Sequence, residues 1–176
     1  APTNIALPGF SRLLTLNGDS ASDSFGFAVS DAGDVNGDGH DDVVVGAYYD
    51  DNTGTDSGSV RVISGNNGAT LYTFNGDSAS DYFGRSVSAA GDVNNDGYAD
   101  IIVGAYGDDN NGSSSGSARV LSGANGSILY TFNGDSASDL FGWSVSAAGD
   151  VNNDGYDDVI VGAYLDDNNG ADSGSA

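Results

Sequence analysis

Cysteine, lysine and glutamate are all absent from this 176-residue chain. Without cysteine, no disulfide can hold it together and thiol chemistry is excluded. The 26 acidic residues are therefore all aspartate, and against four arginines they give a formal net charge of −22. That charge argues against nucleic-acid backbones and anionic membrane surfaces, which require basic patches. His40 is the sole histidine, so no Ser-His-Asp arrangement is available and the acid–base inventory is nearly empty. The reading is that the chain is not an enzyme. No apolar run approaches the roughly 20 residues of a membrane span. Nor is there a basic segment followed by an apolar one, so any signal peptide has been removed or lay upstream. Helix signals are missing too: there are 28 glycines, β-branched runs dominate, and no segment sustains a 3.6-residue period.

What is present is one stretch, three times. Asp34-Val35-Asn36-Gly37-Asp38-Gly39-His40-Asp41-Asp42 returns at 92–100 and 150–158. Oxygen-bearing side chains occupy positions 1, 3, 5 and 9, and glycine occupies position 6, where a sharp bend calls for positive φ. Position 7 (His40, Tyr98, Tyr156) varies, as expected if only its backbone carbonyl is used. Five or six oxygens converging from such a loop, with water, suit calcium; magnesium prefers stricter octahedral geometry. Only the first half is similar to an EF-hand loop, which ends in a bidentate Glu at position 12; here that position is Val45, Val103 or Val161. The metal-free alternative is an Asn/Asp/Gly turn, and three copies with identical ligand positions favour the metal. Calcium at millimolar level is an extracellular ion, so an exported or cell-surface protein is expected. An acidic surface also suits a calcium-containing, salty medium.

The period is 58 residues: Phe25-Gly26, Phe83-Gly84 and Phe141-Gly142 are equally spaced. The whole chain, 1–176, reads as one repeat domain with units at about 19–76, 77–134, and 135–176 plus 1–18. Each unit reads as four short strands. The first alternates after Phe-Gly (Phe27-Ala28-Val29-Ser30 and its copies). The second is an unbroken apolar run, Val43-Val44-Val45-Gly46-Ala47 and its copies, which suggests burial on both faces, with the glycine allowing a close neighbour. The third is Val60-Arg61-Val62-Ile63 or Ala118-Arg119-Val120-Leu121, and the fourth Leu71-Tyr72-Thr73-Phe74 or Ile128-Leu129-Tyr130-Thr131-Phe132. Four strands per repeat at this period predict an all-β chain of β-propeller blades; parallel β-helix repeats are much shorter.

Leu13-Leu14-Thr15-Leu16-Asn17-Gly18 matches fourth-strand sequence, whereas 172–176 reaches only the start of a third strand. Two blades are thus complete and a third is split between the termini, with Ile5–Leu7 a degraded third-strand candidate. Rings of this kind use about 4–8 blades. The chain is therefore expected to be a fragment of a longer propeller, or to self-associate as a homo-oligomer, a dimer completing six blades through exchanged strands, since a lone arc exposes apolar flanks.

Phe-Gly, Asp-x-Asn-x-Asp-Gly-x-x-Asp and Val-Gly-Ala in succession resemble the FG-GAP repeat of integrin α-subunit propellers and their bacterial relatives, over 19–47, 77–105 and 135–163. The resemblance implies three Ca²⁺ sites, each clamping the loop between the first two strands of a blade. Asp34, Asn36, Asp38, His40 (carbonyl) and Asp42 would hold one ion. Asp92, Asn94, Asp96, Tyr98 and Asp100 would hold the second, and Asp150, Asn152, Asp154, Tyr156 and Asp158 the third. A second acidic set, Asp50-Asp51, Asp108-Asp109 and Asp166-Asp167, reads as a solvated loop between strands; the alternative is a further ion or ligand surface with Tyr48, Tyr106 and Tyr164 nearby. The repeated Asn-Gly-Asp-Ser-Ala-Ser-Asp reads as a turn linking blades, and Trp143 as an individual flank residue. The expected function is a calcium-binding structural or adhesion module that binds other proteins; a multivalent, lectin-like carbohydrate binder is the alternative.

Overall fold

The computed structural model describes residues 15–176, and among them the regular elements are all strands. Ten run in order: β1 (Ala28–Gly33), β2 (Asp42–Ala47), β3 (Ser59–Ile63), β4 (Thr70–Asn75), β5 (Ser86–Gly91), β6 (Asp100–Ala105), β7 (Ser117–Leu121), β8 (Ile128–Asn133), β9 (Ser144–Gly149) and β10 (Asp158–Gly162). They form antiparallel sheets ordered β1-β2-β3-β4 and β5-β6-β7-β8, with β9 and β10 a pair. These are β-propeller blades, with β1, β5 and β9 side by side. No helix among the described residues is long and apolar enough to cross a membrane.

The first strand of each blade runs about three residues beyond its apolar alternation. A bulge makes this workable: the register shifts between Asp31 and Gly33 and between Ala89 and Gly91. Gly33, Gly91 and Gly149 take φ of 68°, 78° and 68°, a left-handed conformation that costs glycine little. The bulge delivers the chain into the acidic loop that begins one residue later.

Blades stack through β-branched side chains. Ala32, Val44, Val60 and Val62 of the first sheet pack with Phe83, Ile101, Val103 and Leu121 of the second. Ala90, Val93, Ile102 and Val120 pack in turn with Val161 and the half-buried Phe141, Val145 and Val159. Consecutive residues of β6 thus serve opposite cores, and all six of its residues are buried. The same run in β2 and β10 is covered less completely: Val43 is 37% exposed and Ile160 49%. Those strands lie at the two flanks of the described stack, so the expectation of two-sided burial holds only for the middle blade.

The two short glycine motifs are halves of one contact. A Cβ on Gly46 would lie 2.0 Å from the Gly84 carbonyl oxygen, and one on Gly104 would lie 2.0 Å from that of Gly142. The glycine of Val-Gly-Ala on one blade therefore meets the glycine of Phe-Gly on the next, where no side chain fits. Phe83 itself is 1% exposed, with its N–H donated to Ser57 O at 3.0 Å.

The last sheet has two strands among the described residues. Ser175 pairs with Ala163, as Ser59 pairs with Ala47 and Ser117 with Ala105. The start of a third strand is thus in register. The candidate strand at Ile5–Leu7, with Leu13 and Leu14, lies outside the described residues, and 15–18 form no strand.

Candidate metal centre

The acidic loops join the first and second strands of each blade, and their backbone shape follows from two residue types. Gly39, Gly97 and Gly155 at position 6 have φ of 83°, 88° and 90°. A Cβ there would meet nothing within 4 Å, so conformation and not space demands glycine. Position 4 is left-handed too, in Gly37 (71°), Asn95 (57°) and Asn153 (59°), which explains why only glycine or asparagine stands there. With the chain so curled, the side-chain oxygens turn inward onto the loop's own amides. Asp34 accepts N–H bonds from Asp38 and Gly39 at 3.0 and 2.8 Å, Asn36 accepts from Asp38 at 2.9 Å, and Asp38 accepts from His40 at 3.0 Å. Asp92, Asn94 and Asp96 repeat the pattern at 3.0, 2.8, 2.9 and 3.0 Å. Asp150 and Asp154 do so at 3.0, 2.9 and 3.0 Å; Asn152 makes no such bond. The position-7 side chains point out of the loop, with Tyr98 37% and Tyr156 46% exposed.

Position 9 ties the loop to the sheet. Asp42 and Asp100 are fully buried. Each accepts one N–H from the loop, Val35 or Val93, and one from the β3–β4 or β7–β8 turn, Gly65 or Gly123, at 3.0–3.1 Å. Asp158 accepts from Val151 at 2.9 Å. Burial pushes the Asp42 carboxyl above its ordinary range and the Asp100 carboxyl up to about 6. The amides pull both back, and the charges at positions 1 and 5 add to the rise. Asp34 goes the other way, lowered mainly by the Gly39 N–H. Each complete loop is an all-oxygen donor set whose members repel one another, and one residue before each glycine partner a buried hydroxyl (Ser64, Ser122) lacks any hydrogen bond. This donor chemistry fits a hard dication.

The second acidic set is solvated only in part: Asp51, Asp109 and Asp167 are exposed, while the aspartate before each joins a buried constellation. Asp19, Asp23 and Asp50 converge, as do Asp77, Asp81 and Asp108, and Asp135, Asp139 and Asp166, each set with oxygens within 4.8 Å of one another. Among the described residues only these junction triads meet that spacing; the loop aspartates stand farther apart. Asp50, Asp108 and Asp166 are 2–5% exposed, and so are Asp23, Asp81 and Asp139, each at the end of a linking turn whose preceding residues are exposed. Burial, then the neighbouring Asp77, pushes the Asp81 carboxyl up to about 7. Asp23 and Asp139 are raised, again chiefly by burial. In two of the three sets an arginine supplies the opposite charge: Arg61 lies 2.6 Å from Asp19, and Arg119 lies 2.7 Å from Asp77 and 3.8 Å from Asp108.

Trp143 is likewise not an isolated flank residue. It shares its repeat position with Phe27 and Arg85, and the Arg85 guanidinium sits 4.5 Å over the Phe27 ring and 4.6 Å over that of Trp143. Tyr106 stacks on Tyr82 at 5.0 Å and meets Trp143 at 4.8 Å, and Tyr164 follows at 4.9 Å. The row crosses all three blades.

Fold and loops together define a class: a β-propeller whose blades each carry an oxygen-only loop between their first two strands. Residues 26–63, 83–121 and 141–176 match the FG-GAP repeat, and the chain belongs to that family. It is similar to integrin alpha-6 of Gallus gallus (32% identical over 164 residues, 85% of this chain) and integrin alpha-V of the same species (33% over 145 residues, 78%). Integrin alpha-6 of Homo sapiens is 33% identical over 165 residues, 85% of this chain. The aligned region is 13–14% of each of those relatives, so the chain spans about one seventh of their length.

Proposed function

We propose that this chain is a calcium-stabilised array of propeller blades from an extracellular or cell-surface protein, acting by adhesion to other proteins and not by catalysis. The observation that carries the reading is the repeated loop. Asp34, Asn36, Asp38 and Asp42, with the His40 carbonyl, and their counterparts Asp92, Asn94, Asp96, Asp100 and Tyr98, adopt one hydrogen-bonded geometry. Asp150, Asn152, Asp154, Tyr156 and Asp158 form the third site. The ion would offset the mutual repulsion of these aspartates and fasten the loop to two strands of its own blade. Adjoining loops also touch: Ala99 N–H reaches Asp34 O at 3.3 Å and Asp92 N–H reaches the Asp157 carboxylate at 2.9 Å, so neutralising one loop steadies the next. The near-identity of the acidic positions in every repeat supports a structural role, since catalysis usually singles out one copy.

A protein partner is favoured over a glycan. A cavity of about 480 Å³ lies beside Tyr130 and Tyr156, whereas the cavity of about 420 Å³ between the first two blades has a different lining, with Phe74, Phe83 and Arg119. There the Tyr72 hydroxyl donates to Gly123 O at 2.8 Å and the turn at Gly126 lies against its ring. Multivalent sugar recognition would need one such pocket per blade. The exposed flanks, Val29 at 68% and Val151 at 71%, are the faces a further blade would cover, supplied either by a second copy completing a six-bladed ring or by the rest of a longer propeller. Light scattering and thermal melting, each with excess calcium and with chelator, test the reading. A calcium-dependent dimer of the 17.6 kDa chain and a higher midpoint are expected; a monomer whose melting ignores chelation overturns it.

A further inference from the structure

Position 8 of the acidic loop lies outside the ligand set, and it varies: Asp41, Ala99 and Asp157. It stands between position 7, which offers a carbonyl, and position 9, which ties the loop to the sheet. An ion in the loop would therefore hold it from both sides. What its side chain touches on the preceding blade decides whether that hold is passed on.

At the junction of the second and third blades the side chain reaches the neighbouring ligand set. The Asp157 carboxylate accepts the N–H of Asp92, position 1 of the second loop, at 2.9 Å, and the Asp157 N–H donates to Asp92 O at 3.4 Å. Asp92 in turn accepts the Asp96 and Gly97 N–H groups at 3.0 and 2.8 Å. The bulge glycine makes the seat: a Cβ on Gly91 would lie 2.1 Å from the Asp157 carboxylate oxygen and 2.6 Å from its Cβ.

At the junction of the first and second blades the same position is Ala99. A Cβ on Gly33 would lie 2.7 Å from the Ala99 Cβ, so the two pairs of blades are set alike. The Ala99 N–H donates to Asp34 O at 3.3 Å, but its methyl group gives the Asp34 amide no acceptor. Side-chain contact between these loops falls instead on position 4, where the Tyr98 ring lies against Gly37, and position 4 supplies no ligand.

We infer that Asp157 is a positioning residue that couples calcium binding in the third loop to calcium binding in the second, leaving the first loop to bind on its own. The inference rests on the calcium reading of the loops. An ion in the third loop would fix the Tyr156 carbonyl and the Asp158 carboxylate, and with them Asp157 between. Asp157 then holds the Asp92 amide, with the Asp92 carboxylate set to receive the second ion. By linkage the effect runs equally in the other direction. A carboxylate-to-amide bond is charge-assisted and about twice as strong as a neutral one. The expected coupling is about fivefold in affinity, the low end for linked sites.

The test is a calcium titration of the 176-residue chain followed by amide NMR at about 0.15 M salt, where repulsion between ions in different loops is screened. Gly39, Gly97 and Gly155, all at position 6, report the three loops separately. In the parent chain Gly97 and Gly155 are expected to shift together in one steep transition, and Gly39 in a shallower one of its own. Disabling the third loop with Asp154→Ala should weaken calcium at Gly97 about fivefold and leave Gly39 unchanged. Asp157→Ala should uncouple Gly97 from Gly155, whereas Asp157→Asn, which keeps an acceptor oxygen, should retain most of the coupling. Ala99→Asp installs the missing carboxylate and should draw Gly39 into the shared transition. Independent transitions at Gly97 and Gly155 in the parent chain overturn the inference, as does coupling that survives Asp157→Ala, or an Ala99→Asp chain in which Gly39 stays separate. Glycine amides that ignore saturating calcium overturn the calcium reading and the inference with it, a result distinct from ions bound without coupling.

Discussion

Replacing Asp100 by alanine separates the structural work of the loop from its ion binding. The carboxylate is fully buried and accepts the N–H groups of Val93 and Gly123, each at 3.1 Å. Alanine leaves both amides without an acceptor, and each orphaned buried donor costs about 1–3 kcal/mol. Relief of a carboxyl that burial has pushed up to about 6 offsets part of that. The net loss expected in chelator at pH 7.5 is about 3 kcal/mol. Asp100→Asn keeps one acceptor oxygen and turns a second donor toward the other amide, so it should lie between alanine and the parent chain. Urea unfolding with a shared slope measures both. In calcium the gap should widen, because the parent would hold the three proposed ions and the variant two. An Asp100→Ala chain as stable as the parent in chelator would refute the view that position 9 bolts the loop to the sheet.

Asp96→Ala reads the ion alone. Asp96 is exposed and accepts only local bonds, so stability in chelator should change by less than about 0.5 kcal/mol, while the midpoint in excess calcium falls. Gly104→Ala and Gly97→Ala separate two uses of glycine. The first drives a Cβ to 2.0 Å from Gly142 O and should cost about 3 kcal/mol or more through blade separation. The second meets open space at φ 88° and should cost about 1–2 kcal/mol of backbone strain; equal losses in urea melts would count against the distinction. Burial holds the folded-state pKa of Asp81 at about 7, above the ordinary aspartate value of 3.8, so the folded state holds that proton more tightly. Its stabilising contribution is present at low pH and is lost as pH rises through about 7. Chelated protein should therefore melt higher at pH 5.5 than at pH 8, and Asp81→Asn should flatten the slope; an unaltered slope contradicts the assignment.

Much of the blade was legible because its signals are local. β-branched runs at a fixed period placed β2, β6 and β10 within a residue, and the Asp-x-Asn-x-Asp-Gly spacing located each loop. The bulges at Gly33 and Gly91 were missed because a glycine before an aspartate looks like an ordinary turn. The junction triads were missed for a deeper reason. Asp23 and Asp50 lie 27 residues apart in Ser- and Asn-rich stretches that resemble solvated turns, and only blade formation brings them together and dries them. A signal was available: Arg61 and Arg119 recur at matching third-strand positions facing inward, where an arginine needs a carboxylate. Phe27, Arg85 and Trp143 share no residue type, so only Tyr48, Tyr106 and Tyr164, which recur every 58 residues, mark that row in the sequence.

Anomalous diffraction from crystals grown in calcium would test the central claim most directly. The account predicts three peaks, at Asp34–Asp42, Asp92–Asp100 and Asp150–Asp158, each ringed by oxygens at about 2.3–2.6 Å. Water at those loops under saturating calcium would contradict it.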